Sequence, residues 1–231
     1  MATIAQKIAD LTGSDMSATL VSSYEATIRN AFNFVIDIIP STSELWHHTN
    51  TLVIGPITTD FYTVSNRRIL SVKRRDSSNG QFYSCRELSL KEGLKIDDVN
   101  SIFYSIKGNR NPVFYMSENG KLIIRPTVNN TAYGEAYYAS YITTTDISTQ
   151  TTMSENSATQ SIPETVIDLG CLRASILLLQ ARISNAVQDD EDTELLQLVQ
   201  GQIASLNALF QEEAQRLNIP YKRMGVSDDI K

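Results

Sequence analysis

Side chains that commonly carry chemistry are scarce in this chain of 231 residues, which holds two cysteines and two histidines. Cys85 and Cys171 stand far apart with no Cys-x-x-Cys spacing, so neither a zinc ribbon nor a disulfide framework is expected, and a reducing compartment fits. His47 and His48 are adjacent, and adjacent side chains project differently, which favours a structural or exposed role over metal ligation. A serine or cysteine nucleophile would have to borrow one of these two imidazoles, and nothing around them resembles a nucleophile elbow. Glycine is sparse too, at ten residues. Gly108 stands alone and no Gly-Lys-Ser/Thr occurs, which excludes a phosphate-binding loop. The expectation is a protein that is not an enzyme and needs no cofactor and no metal.

Long apolar runs are also missing. The eight residues from Ala174 to Ala181 are bracketed by Arg173 and Arg182, far short of the roughly 20 residues of a membrane span. Met1 to Asp10 lacks the apolar core of a secretory signal. A soluble, unexported protein with no membrane partner is expected.

What is present is an ordinary folding composition, 42% hydrophobic and 20% charged, with an uneven distribution of charge. The net charge is -6, yet residues 61–130 hold twelve Lys/Arg against six Asp/Glu, an excess of +6. The remainder holds eight Lys/Arg against twenty Asp/Glu, or -12. A largely acidic framework argues against wrapping nucleic acid, which needs a contiguous cationic surface. The run Asp189 to Asp192 lacks calcium-loop spacing and reads as a loop favouring the N-terminus of a following helix.

Residues 111 to 127 carry a hairpin signature, with Asn119-Gly120 expected to supply a positive-φ pair between Val113–Met116 and Lys121–Arg125. Short β-branched and aromatic runs at Ile69–Val72, Gln81–Cys85, Phe114–Met116, Leu122–Ile124 and Ala136–Tyr141 read as strands. Turns are expected at 76–80, 118–120 and 128–131. Together they predict one antiparallel sheet of four to six strands.

Helical periodicity flanks this module. A short candidate helix at 1–11 ends at Thr12-Gly13. Ser14 or Asp15 can then cap a helix whose stripe is Leu20, Tyr24, Ile28, Phe32 and Ile36, with Val21, Val35 and Ile39 beside it and Pro40 as its stop. Ser41 to Ile57, with Trp46, reads ambiguously. Pro163 suits the first turn of a helix presenting Val166, Gly170, Cys171, Ala174, Leu177, Leu178 and Ala181 on one face. Leu195, Leu196, Val199, Ile203, Leu206, Phe210 and Leu217 form the stripe of its antiparallel partner. The predicted fold class is α+β: a helical bundle of one long N-terminal helix plus a C-terminal antiparallel pair, spanning 1–57 and 162–217, with a small antiparallel β-module inserted at 58–142. A polar loop or linker at 143–161 and an extended tail at 218–231 complete the chain.

The phrase Asn111-Pro112-Val113-Phe114-Tyr115, followed by Asn119-Gly120-Lys121-Leu122 and Pro126, resembles a passage in the head-to-tail connector (adaptor or neck) proteins of tailed bacteriophages. Ile162-Pro163-Glu164 opening an alanine- and leucine-rich helix is similar to the C-terminal half of the tail tubular protein A type. The opening phrase of that type is missing from Met1 to Leu20, so short-tailed and long-tailed phages both stay open. The resemblance implies a virion protein of the neck or tail, assembled in the host cytoplasm as a homo-oligomeric ring, commonly a dodecamer. Such a ring joins the portal protein to a tail or nozzle protein and passes genomic DNA without reading its sequence. Polar residues Gln188, Gln197, Gln200, Gln202 and Asn207 are then expected at subunit contacts.

The candidate portal- or tail-binding residues are Arg67, Arg68, Lys73, Arg74 and Arg75 around the first hairpin, and Tyr221, Lys222, Arg223 and Met224 in the tail. The alternative reading is a nucleic-acid-binding module using the basic hairpin around Lys73–Arg75, with Tyr133, Tyr137, Tyr138 and Tyr141 as stacking candidates. For those tyrosines, core packing is the favoured expectation. A regulatory or chaperone-like helical protein is a third possibility.

Overall fold

The computed structural model describes residues 4–13, 18–41, 50–54, 61–64, 67–102, 104, 108, 110–117, 119–127, 133–141, 163–188 and 193–219. The chain is mixed α+β and divides into two compact units, one formed by 1–48 with 141–231 and the other by 49–140.

The first unit does not open on a long helix. Nine-residue α1 (Ile4–Thr12) comes first and stops at Gly13, whose φ of 65° suits a residue without a Cβ. The 21-residue α2 (Ala18–Ile38) follows; the expected caps Ser14 and Asp15 lie outside the described residues. Its stripe is buried at Ile28, Phe32, Val35, Ile36 and, just past its end, Ile39.

Helix α4 (Glu164–Gln188) packs against α1, α2 and α5 (Thr193–Arg216). It was expected to bury one face. Three neighbours leave it little solvent, and Ile167, Leu169, Leu172, Ser175, Ile176 and Leu179 are buried beside the expected Val166, Cys171, Ala174 and Leu178. At Gly170 the approach to α2 is close enough that a Cβ would meet the Phe32 ring. Lys7 of α1 pairs with Asp168 at 2.5 Å and with Glu164 at 3.6 Å. The Arg173 guanidinium lies 5.1 Å from the Phe34 ring centroid and 6.0 Å from that of Phe210, touching α2 and α5 together.

Helix α5 ends before Pro220, not at it. Asn218 adopts φ 55°, its N–H bonds to the Gln215 carbonyl, and the Ile219 N–H bonds to that of Ala214, the pattern of a Schellman cap with a buried hydrophobic residue after it. The first two residues of the expected tail thus belong to the helix end; residues 220–231, like 142–162, lie outside the described set.

The second unit holds eight described strands in two four-stranded sheets, where one sheet was expected. Sheet one has the order β1-β8-β3-β4, from β1 (Asn50–Ile54), β8 (Gly134–Ser140), β3 (Arg67–Arg75) and β4 (Phe82–Ser84). Sheet two has the order β2-β7-β6-β5, from β2 (Tyr62–Thr63), β7 (Lys121–Arg125), β6 (Val113–Met116) and β5 (Arg86–Glu87). The β5–β6 pair is parallel, correcting the all-antiparallel expectation. Strand β1 falls within the stretch 41–57 that sequence reading left ambiguous, and β2 and β5 were missed because two-residue strands are too short for an alternation to register. The second unit accordingly begins at Thr49, before the expected residue 58.

Ile54, Val72 and Ala136 of sheet one share a core with Tyr62, Phe114, Leu122 and Ile124 of sheet two. The sheets therefore face each other, and alternation sends the intervening residues outward. On the far side of sheet two, Val113, Tyr115 and Ile123 pack with Leu88 and Ile96 from the segment around α3 (Leu90–Gly93). That short helix starts in a capping box between Ser89 and Glu92. In the β6–β7 hairpin Gly120 takes a positive φ of 65° within a Ser117–Lys121 turn, supplying one member of the expected positive-φ pair.

Candidate interaction surface

In β3, burial alternates. Val72 and Arg74 point inward, Ser71, Lys73 and Arg75 outward. Register carries this outer face across the sheet, because Lys73 stands opposite both Glu135 and Ser84, Arg75 opposite Phe82, and Ser71 opposite Tyr137. On the other edge Thr51 and Val53 of β1 oppose Tyr137 and Glu135. One face therefore gathers Val53, Lys73, Arg75, Phe82, Ser84, Glu135 and Tyr137.

Cations lie over the rings of this face. Lys73 Nζ is 4.8 Å from the Tyr137 ring centroid, and the Arg75 guanidinium is 5.2 Å from that of Tyr133 while its Nε donates to the Gly80 carbonyl. Phe82 meets Tyr133 edge to face at 5.5 Å. Tyr137 donates its hydroxyl to Glu135. Tyr133, Tyr137 and Tyr138 are each partly buried; Tyr133 and Tyr137 belong to this outer face, although core packing was expected, whereas Tyr138 alternates to the other side. Tyr141 donates to Asp37 within the first unit.

The five basic candidates do not form one surface. A bulge between Ile69 and Ser71 shifts the register, so Arg67 lies over Tyr138 at 4.5 Å on the inward-pointing side of the strand, away from Lys73 and Arg75. Arg68 alternates with Arg67 and is partly buried. Arg74 is turned inward at 3% exposure, donating from Nε to the Pro126 carbonyl at 2.8 Å and from Nη2 to that of Thr127 at 3.4 Å. Its Nη1 finds no hydrogen-bond partner among the described residues, and burial lowers its pKa. Arg74 thus ties sheet one to the end of β7, and Lys73 and Arg75 are the basic candidates that face out beside the aromatic rings, while Arg68, opposite Ala139, alternates onto the same side farther along the sheet. Tyr221, Lys222, Arg223 and Met224 lie outside the described residues, as do His47 and His48.

Of the polar residues expected at subunit contacts, two work within the chain. Gln202 Nε2 donates to the Leu11 carbonyl at 2.8 Å and Asn207 Nδ2 to that of Ile203 at 3.0 Å, while Gln197 and Gln200 are exposed.

Both thiols are held protonated. Burial pushes Cys85 and Cys171 up to about 12 each, which suppresses the thiolate that nucleophilic or metal chemistry would use. Among the described residues no cluster of three or more His, Cys, Asp or Glu is placed to hold a metal ion, and no helix is long and apolar enough to cross a membrane. The surface offers charge and apolar area. Compared with known protein families and with curated proteins, the chain matches none.

Proposed function

We propose that this chain is a structural head-to-tail adaptor of a tailed bacteriophage, a neck subunit that assembles into a ring, commonly twelvefold, between the portal and a tail or nozzle protein. Its helices form a bundle beside the DNA passage, its β-unit meets a partner, and it catalyses nothing. The observation that carries the reading is the division of charge between the two units. Residues 49–140 hold twelve Lys/Arg against eight Asp/Glu, net +4, and the rest hold eight against eighteen, net -10. An acidic helical unit repels phosphates and lets a genome slide, whereas attraction repeated over many subunits would brake it. A basic β-unit suits an acidic protein partner. The exposed leucines of α5, Leu198 and Leu209, supply apolar area for contact between subunits.

Purified chain mixed with purified portal and viewed by negative-stain electron microscopy or mass photometry is expected to form rings on the portal. A chain that stays monomeric in the presence of portal removes the reading.

A second reading, a nucleic-acid-binding module, is favoured by Lys73 and Arg75 sharing a face with Phe82, Tyr133 and Tyr137. Its mark is affinity for an oligonucleotide that falls steeply with added salt. Absence of binding at low ionic strength eliminates it.

A further inference from the structure

We infer that the outer face of the β1-β8-β3-β4 sheet is the seat for helix α5 of a second copy of this chain. The inference rests on the ring reading above and names the two surfaces that would meet.

The sheet side is cationic and apolar together. Its inner face is spent on the second sheet, while outside Val53 is 62% and Phe82 38% exposed beside Lys73 and Arg75. Exposed apolar side chains grouped with unlike-charge partners mark contact surfaces more than they mark solvent surfaces.

The helix side is acidic and apolar. Val199, Leu206, Phe210 and Ala214 are the buried face of α5. On the opposite face Leu198 is 68% and Leu209 47% exposed, eleven residues apart, which brings them to the same side about three turns along. Gly201, Ala204, Ser205 and Ala208 between them are exposed and small, and a Cβ added at Gly201 would meet nothing within 4 Å, so another backbone can come close. Glu194 and Glu212 are exposed on this same face, near its two ends.

Charge selects the occupant. The β-unit at +4 and the helical unit at -10 complement each other, and a second copy presents the acidic surface in equal number. Sheet of one copy against helix of the next is a heterologous contact, which closes into a ring when the rotation allows. A nucleic-acid strand fits the face less well. Lys73 and Arg75 already lie over the Tyr137 and Tyr133 rings, which takes up stacking area, and Glu135 stands opposite Lys73 in the path of a phosphate.

Site-directed cross-linking of the full chain tests this. Ser84→Cys places a thiol opposite Lys73, and Ser205→Cys places one on the outer face of α5. The native thiols, both raised to about 12, leave a short bis-maleimide at neutral pH to the introduced ones. At high protein concentration and low salt, mixing the two variants is expected to give cross-linked dimers. Adding Lys73→Glu and Arg75→Glu to the Ser84→Cys chain is expected to cut the yield at least about tenfold. No mixed dimer, a yield indifferent to the charge reversal, or Ser84→Cys alone dimerising as well as the mixture overturns the inference. So does a labelled single-stranded oligonucleotide that binds the wild type and is lost with the same reversal, which assigns the face to nucleic acid. Circular dichroism checks that the reversed chain is folded, and Lys73→Glu alone replaces the pair where it is not. Cross-linking without recruitment to portal defeats the adaptor reading and leaves this contact standing; recruitment of wild-type and reversed chains alike does the opposite.

Discussion

Gly170 is the position where a single atom decides the packing of two helices. Its missing Cβ is the space that the Phe32 ring of α2 occupies against α4. Gly170→Ala is therefore expected to cost about 1–3 kcal/mol as the ring is forced off its seat, read as a lower urea midpoint in chemical denaturation. The buried thiols give a second residue-scale expectation. A thiol raised from 9.0 to about 12 by burial keeps its proton in the folded chain while the unfolded chain ionises. Its contribution is intact below about pH 9 and is lost as pH climbs toward 12, at up to about 1.4 kcal/mol per pH unit for each thiol. Stability measured by denaturant titration at pH 8, 9 and 10 should fall over that window, and Cys171→Ala should flatten the fall.

Elements are delimited here by single backbone residues as much as by pattern. Helix α5 stops because Asn218 turns left-handed and hands the Ile219 N–H back to Ala214. Glycine takes that conformation without strain, so Asn218→Gly should raise the melting temperature, the gain in stability lying between a few tenths and about 1 kcal/mol. Glycine lowering it would mean that the Asn218 side chain contributes more than its backbone. The helix stripes were legible because every third or fourth residue from Ile28 to Ile39 is apolar and buried, and because Val199, Leu206 and Phe210 are buried with the partly buried Ile203 between them. Helix α4 was legible as a helix but not as a central one, since being covered by α1, α2 and α5 is a property of its neighbours. In the β-unit, strands β3, β6, β7 and β8 could be read from β-branched and aromatic runs. The two-residue strands could not, because they exist as strands only through the partners that bond them.

At the scale of the whole chain, the β-unit enters on β1 and leaves on β8, and these strands are neighbours, with Asn50 opposite Tyr138. The two points where the chain crosses between units are therefore close, the condition under which an inserted domain can be removed without disturbing its host. Replacing residues 49–140 by a short Gly/Ser linker is expected to leave a helical unit with a single cooperative unfolding transition by circular dichroism. A shortened chain that is unfolded would show that the helices depend on the insert. The same division separates the charges, and an isolated 49–140 segment should bind a cation exchanger at neutral pH where the whole chain does not.

Local order along the backbone determined the helices, the larger strands and the segregation of basic from acidic sequence, because helical and strand periodicities and charge counts are properties of neighbours in the chain. Which of the basic residues could meet a partner was decided by the tertiary structure alone. Arg67, Arg68, Lys73, Arg74 and Arg75 read as one cluster, yet a bulge at Leu70 and the alternation of β3 turn Arg74 onto the Pro126 carbonyl and leave Lys73 and Arg75 facing out beside aromatic rings brought from β4 and the β8 end. Register across strands far apart in sequence sets that outcome, and a one-residue shift in it exchanges the two faces of a sheet.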